Sequence, residues 1–148
     1  MTTRVIGIGR PLAGDDGVGI AVIDALRADP PRGVELHTVH DNNELVSLLM
    51  GTDQAVLVDA AVQAGIPGTV RILSTADLEA VPLSDLPSHD LSVPHAIELA
   101  HRLSLDTPAP KILIVAIAIG QTLHYRHELS AAIQAAVPVA VDTVRHLV

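Results

Sequence analysis

Short apolar runs alternate along the chain with segments in which apolar residues recur every three or four positions. The short runs predict strands, and the longer spacing predicts helices with one apolar face. The run that ends at Asp59 is apolar up to its last residue, a pattern typical of a central strand covered on both faces. The predicted strands are Arg4–Ile8, Val34–Val39, Ala55–Asp59, Thr69–Leu73 and Lys111–Ile119.

Four helices are predicted around these strands. The first carries an apolar stripe from Val18 to Leu26, and the third offers Ile97, Leu99, Ala100 and Leu103 to the core. Pro138 lies inside the last helix and should kink or split it, because proline cannot donate the helical hydrogen bond. The stretch from Ser74 to Ser88 reads as a loop with at most one helical turn. The predicted helices are Gly17–Leu26, Asn43–Met50, Pro94–Leu103 and Leu129–Val148.

The order of these elements predicts the fold. Strands that alternate with helices form a mostly parallel sheet between two helical layers. The turn Gly-Ile-Pro-Gly at residues 65–68 is too short for a crossover helix, so the strand after it should pair antiparallel at an edge. We therefore expect one domain, residues 1–148, folded as a three-layer α/β/α sandwich with a five-stranded sheet. Ligands bind beyond the carboxyl ends of such strands, at residues 9–16, 40–43, 59–61 and 120–127.

Composition narrows the chemistry. The 148 residues include no cysteine, which excludes disulfides, thiolate metal sites and cysteine nucleophiles, so any metal would be held by histidine and carboxylates. The net charge of −8 and the scattered arginines argue against nucleic-acid binding. The start of the chain lacks the layout of a signal peptide, and the longest apolar run is too short to cross a bilayer. We expect a cytoplasmic protein without membrane contact, and a monomer.

The stretch GIGRPLAGDDGVG at residues 7–19 is the most informative segment. It resembles a dinucleotide-binding turn, but the third glycine of that motif would fall on Leu12. Asp15 and Asp16 would also repel a pyrophosphate from the helix N-terminus. The two acids suit a cation or a proton-transfer site, and they could instead simply cap the helix.

Two further residues could join this acidic pair. Asp59 at the end of a buried strand is costly unless it is paired, metal-bound or facing a cleft, although it could also cap the next turn. His89 precedes the third helix and could equally be an idle loop residue. One histidine and two aspartates that converge would suit a divalent metal or general acid–base chemistry.

Other histidines compete with His89 for such a role. His124 and His127 have the spacing of a ligand pair but lie in a loop together with Arg126. His101 and His146 are expected on helix surfaces. His37, His40 and His95 complete the set.

At these residues the chain resembles the endopeptidases that mature nickel–iron hydrogenases. That family combines G-x-G-N-x-x-x-x-D-[DE]-x-x-G with an acid that ends strand three and a histidine before a later helix. The matching segments are residues 7–19, VLVDA at 56–60 and SHDLS at 88–92, and PGTV at 67–70 resembles the family's edge strand. The order and spacing of these segments extend over essentially the whole chain.

The resemblance implies roles for particular residues. The metal-contacting acids of the family correspond to Asp16 and Asp59, and its histidine corresponds to His89, while Asp15 is the adjacent acid with a less direct role. Two positions depart from the pattern. The usual asparagine after the second glycine is Arg10, and the Asp-Gly-Gly-Thr-like loop after strand two reads Asp-Asn-Asn-Glu at residues 41–44.

The resemblance also implies an activity, the removal of the C-terminal extension from a hydrogenase large-subunit precursor after nickel insertion. Nickel would come with the substrate and not as a resident cofactor, although another divalent metal could occupy the isolated protein. Asp16, Asp59 and His89 would recognise the nickel and help to position or activate water, either through the metal or as direct acid–base groups.

Three alternatives remain at this stage. The first is another small metal-dependent hydrolase, for instance a peptidase with resident zinc. The second is a non-catalytic nickel carrier or precursor-binding chaperone that uses the same three residues. The third is a nucleotide-binding module, against which Asp15 and Asp16 argue.

Overall fold

The computed structural model describes residues 1–10, 14–62, 65–79, 92–120 and 128–148. It contains one five-stranded sheet between two helical layers. In chain order the strands are β1 (Thr3–Ile8), β2 (Val34–Val39), β3 (Gln54–Val62), β4 (Val70–Ser74) and β5 (Lys111–Ile119). The helices are α1 (Val18–Ala28), α2 (Asn42–Leu49), α3 (Thr75–Glu79), α4 (Val93–Leu103) and α5 (Ala131–Leu147), and a 3₁₀ turn at Gly14–Gly17, here called the acidic turn, precedes α1.

The sheet has the strand order β2-β1-β3-β5-β4. The first four strands in this order are parallel, and β4 pairs antiparallel with β5 at the edge. The predicted sandwich, including its antiparallel edge strand, is therefore confirmed.

Successive side chains of each strand point to opposite faces of the sheet, so the core consists of two clusters, one on each face. Val56 and Val58 of β3 face α1 and α5, whereas Ala55 and Leu57 face α2 and α4. The stripe predicted on α1 is buried completely, at Val18, Val22, Ile23 and Leu26. The core is aliphatic, as the scarcity of aromatic residues requires.

Three details differ from the prediction. On α4 the buried residues are Ala96 and Ala100, while Leu99 and Leu103 are 40% and 61% exposed, because the small side chains face the sheet. The last helix is not split at Pro138, which lies on the exposed face of α5, where water can solvate the carbonyl that proline leaves without a partner. Strand β3 also continues three residues past Asp59, to Val62, in register with β5.

Two glycines set the distance between α1 and the sheet. A Cβ atom at Gly7 of β1 would collide with the carbonyl oxygen of Gly19, and one at Gly19 would collide with the carbonyl oxygen of Ile8. The backbones of β1 and α1 therefore touch directly. This contact places the acidic turn against the carboxyl end of β1.

Gly19→Ala tests this contact. Helix propensity alone would make the substitution stabilising by about 1 kcal/mol, whereas the collision with backbone atoms that cannot move aside reverses the sign. We expect a loss of about 1–3 kcal/mol in the free energy of unfolding, the usual range for overpacking, measured by urea denaturation. Ala25→Gly, at an exposed position of the same helix, is the control and should follow propensity. A Gly19→Ala protein more stable than wild type would contradict the contact.

Candidate functional site

A cleft of about 200 Å³ opens beyond the carboxyl ends of β1, β2 and β3. Its walls are residues 8–10, 16, 40–43, 59 and 60. This is the position at which the parallel sheet was expected to bind a ligand. A larger cavity, about 840 Å³, lies beside α4 and reaches the segments that lead into β3 and β5. It is distant from the acidic pair, so the smaller cleft is the candidate site.

The register of the sheet explains why Asp59 reaches the cleft. Gly7 of β1 pairs with Val58 of β3, so Asp59 stands just beyond the last paired position of β1. Strand β5 continues beside it. The side chain of Asp59 lies on the same face of β3 as Leu57 and Ala61, two positions away on either side, and therefore on the α2/α4 side of the sheet. One Asp59 oxygen, Oδ1, accepts a 2.8 Å hydrogen bond from the backbone N–H of Ala60.

Burial governs the charge of Asp59. The loss of hydration raises the pKa of its carboxyl group from 3.8 to about 7. The hydrogen bond from Ala60 acts in the opposite direction, and the negative charge of Asp16 adds to the increase. Asp16 and Asp59 thus lie near enough to interact electrostatically in one cleft, the convergence that the sequence predicted for this pair.

Asp15 and Asp16 take different directions. Asp16 lines the cleft. Asp15 instead accepts two hydrogen bonds from Ser130, which lies 115 positions later in the chain, just before α5. Neither acid caps its own helix, because the N-cap of α1 is Gly17 and makes no side-chain hydrogen bond. Simple capping of α1 is therefore wrong as an explanation of the pair.

The loop after β2 is held by Asp41. Its Oδ1 accepts hydrogen bonds from the backbone N–H groups of Asn43 and Glu44, at 2.8 and 3.1 Å, and so caps α2. A carboxylate used in this way fixes the conformation of the loop at the cleft wall. Asp41, which keeps the acid of the family pattern in a loop that otherwise departs from it, thus stabilises the start of α2.

His40 is a cleft residue to which the sequence reasoning assigned no role. It is exposed, and its Nδ1 lies 3.4 Å from the carbonyl oxygen of Gly9. If the neutral imidazole carries its proton on Nδ1, which then donates to this carbonyl oxygen, Nε2 keeps a free lone pair. The sequence could have indicated His40 by its position, because it is the first residue after β2, in a loop already expected to border the site.

The other predicted site residues fall outside this cleft or outside the described structure. His89, His124 and His127 belong to segments beyond the described residues. His101 and His146 are on helices away from the cleft. Within the described part of the chain no three His, Asp or Glu side chains form a metal-binding group. In the same residues, no helix has the length and apolar character to cross a membrane.

A family model for hydrogenase maturation proteases matches residues 40–146, which is more than half of the chain. The chain belongs to this family. Among curated protein sequences, none matches it significantly. The family is one of peptidases, and the matched range includes Asp59 and His89 but not Asp16.

Solved structures of the family share the fold over nearly the whole chain. The hydrogenase maturating endopeptidase HybD from E. coli is 25% identical, with a TM-score of 0.71, and the match covers 97% of this chain and 90% of HybD. HybD from Thermococcus kodakarensis is 21% identical, with a TM-score of 0.79 and 99% coverage of both chains. HycI from Thermococcus kodakarensis KOD1 is 18% identical, with a TM-score of 0.73, and the match covers 99% of this chain and 91% of HycI.

Asp59→Asn tests the buried carboxyl group. The unfolded chain ionises Asp59 near pH 3.8, whereas the folded protein keeps the proton up to about pH 7. Between these values the folded state binds the extra proton, so the free energy of unfolding falls as the pH rises towards 7. Asparagine has no charge and can still accept from Ala60. We therefore expect the variant to be more stable than wild type at pH 8, with a smaller margin at pH 5.

Thermal denaturation of both proteins in the presence of a chelator measures this margin. Each 1 kcal/mol should shift the Tm by roughly 2–4 °C in a chain of this size. The other titrating groups are common to both proteins and cancel in the comparison. A margin that does not change between pH 5 and pH 8 would show that Asp59 ionises normally in the fold.

Proposed function

We propose that this protein removes the C-terminal extension of a nickel–iron hydrogenase large-subunit precursor after nickel insertion, and that it recognises the nickel bound to that substrate. The observation that carries the proposal is the meeting of Asp16 and Asp59 in one cleft of a chain that belongs to the hydrogenase maturation protease family. Solved structures that share its fold are of hydrogenase maturation proteases.

The cleft has the chemistry that this reaction needs. Two carboxylates are suitable ligands for a divalent cation, and a bound cation favours their ionised form over the protonated one. A histidine is the usual nitrogen ligand for nickel, and we assign this role to His89. The assignment is supported by the resemblance of SHDLS at residues 88–92 to the histidine segment of the family, within the range that the family model matches.

Hydrolysis requires a water molecule to lose a proton as it attacks the peptide carbonyl, and the departing amine to gain one. In a metal-assisted route, nickel lowers the pKa of the water. In an aspartic-type route, Asp59 and Asp16 share a proton, and the ionised carboxylate accepts the proton of the water. A pKa near 7 suits Asp59 to either transfer at neutral pH.

The nickel would arrive with the precursor, so the protein needs no resident metal for this activity. Another divalent metal could bind the same carboxylates in the isolated protein. The precursor is the proposed partner, the cytoplasm is the proposed location, and the protein would act as a monomer.

Asp16→Asn, Asp59→Asn and His89→Ala test the proposal. Each should reduce processing of a nickel-loaded precursor by at least about 100-fold, the lower end of the contribution of a positioned acid or base, with the fold retained. The measurement is mass loss at the C-terminus of the precursor. Asp24→Asn is the control, because Asp24 is an exposed acid on α1 that pairs with Arg27 away from the cleft.

The outcomes separate the proposal from its competitors. Processing at the wild-type rate by any of the three variants would remove that residue from the mechanism. A wild-type protein that binds the loaded precursor without cutting it would be a maturation chaperone. Stoichiometric zinc in the purified protein, together with cleavage of a nickel-free precursor, would indicate a hydrolase with a resident metal.

A further inference from the structure

The carboxylate of Asp15 joins the acidic turn to the start of α5. Asp15 Oδ1 accepts a hydrogen bond from the backbone N–H of Ser130 at 2.7 Å, and Oδ2 accepts one from the Ser130 hydroxyl at 2.9 Å. Both oxygens are used, both bonds are partly buried, and the residues are 115 positions apart. We call this pair of hydrogen bonds the strap.

The strap replaces the ordinary capping of α5. Ser130 has the extended backbone of an N-cap, with φ −65° and ψ 161°, yet its side chain makes no capping hydrogen bond to the helix. In a capping box an acid within the helix accepts from the N–H of the N-cap residue. Here Asp15 supplies that acceptor from the other end of the chain. Its negative charge also lies near the positive end of the helix dipole.

The geometry of the acidic turn couples Asp15 to Asp16. A 3₁₀ turn has three residues per turn, so neighbouring side chains leave it about 120° apart. With Asp15 held against α5, Asp16 is directed to the cleft. The backbone of Gly9 also packs closely against that of Asp16, since a Cβ atom at Gly9 would lie only 2.6 Å from the Asp16 carbonyl oxygen.

We propose that Asp15 and Ser130 are positioning residues for Asp16, which they hold at the angle required to face the substrate. This inference rests on the proposed role of Asp16 in binding the nickel of the precursor. Asp15 itself does not touch the substrate in this assignment. Asp15 is not among the residues that line the cleft, and each of its oxygens accepts a hydrogen bond from Ser130, so we assign it as a support and not as a third ligand.

The strap is not needed to hold α5 on the domain. Four residues of α5, namely Ile133, Ala136, Ala140 and Val144, are buried in the cluster that also contains the apolar stripe of α1. Removal of the strap therefore leaves the helix packed against the domain. The same removal releases Asp15, and with it the acidic turn, from the start of α5.

Substitutions can separate the geometry of Asp15 from its charge. Asparagine can accept from the Ser130 N–H through Oδ1 and donate to the Ser130 hydroxyl through Nδ2, so Asp15→Asn keeps both bonds. Asp15→Ala loses both, and Ser130→Ala loses one. At position 16 an amide is a poor substitute for a carboxylate that binds a cation, because its oxygen carries no negative charge. Asparagine should therefore be tolerated at position 15 and not at position 16.

The test is single-turnover cleavage of a nickel-loaded precursor at increasing enzyme concentration. We expect Asp15→Ala to lower the rate at saturation by about 10–100-fold, as for other residues that orient a metal ligand, with little change in the half-saturating concentration. Ser130→Ala should lie between this variant and wild type, and Asp15→Asn close to wild type. Asp16→Asn should be inactive, and Asp24→Asn should match wild type.

A second measurement does not depend on cleavage. Hydrogen exchange of the backbone amides of residues 16–18 should be faster in Asp15→Ala than in wild type, and unchanged in Asp15→Asn. Wild-type cleavage by Asp15→Ala, or a loss as large in Asp15→Asn as in Asp15→Ala, would overturn the inference. If Asp15→Ala does not fold, wild-type activity and exchange in Ser130→Ala would overturn it instead. If the wild-type protein cuts no precursor, the proposed function fails, and the exchange result alone decides whether the strap holds the turn.

Discussion

The direct backbone contact between β1 and α1 is the constraint on which the rest of this structure depends. It exists because Gly7 and Gly19 have no side chains, and a methyl group at either position would strike a carbonyl oxygen. The contact pulls the start of α1 down onto the sheet and sets the acidic turn across the end of β1. Gly9 continues the same close approach beneath the Asp16 carbonyl. A looser helix would carry Asp16 away from Asp59, and the cleft would lose one of its acids.

The fold buries the carboxyl group of Asp59, where its ionised form loses hydration free energy. Asp59 follows four fully buried residues of β3 and loses hydration there, which raises its pKa to about 7. A protein selected for stability alone would place an apolar or amide side chain at this position. The cost is consistent with a group that must exchange a proton or bind a cation.

The surroundings of the cleft are fixed by side chains that do not face it. Asp15 is bound to Ser130, and Asp41 is bound to the first amides of α2. In the family pattern the loop after strand two contains flexible glycines, whereas here a capping aspartate and two asparagines occupy it. These residues line the cleft together with Arg10, the other position at which the chain departs from the family pattern.

The sequence by itself determined the layers of the fold, the antiparallel edge strand and the apolar stripe of α1, because these follow from periodicity and from the lengths of connections. It also singled out Asp59, since an acid at the end of an apolar run is costly without a task, and the pair Asp15–Asp16, since two acids flanked by glycines suit a cation or a proton-transfer site. It did not determine which residues of α4 are buried, because the choice between leucine and alanine depends on how closely the helix approaches the sheet. The family resemblance already set Asp16 apart from Asp15, but the binding of Asp15 to Ser130 was decided by the tertiary structure alone. Hydrogen bonds between residues 115 positions apart leave no periodic signal, and they arise only when the folded chain brings α5 beside the acidic turn.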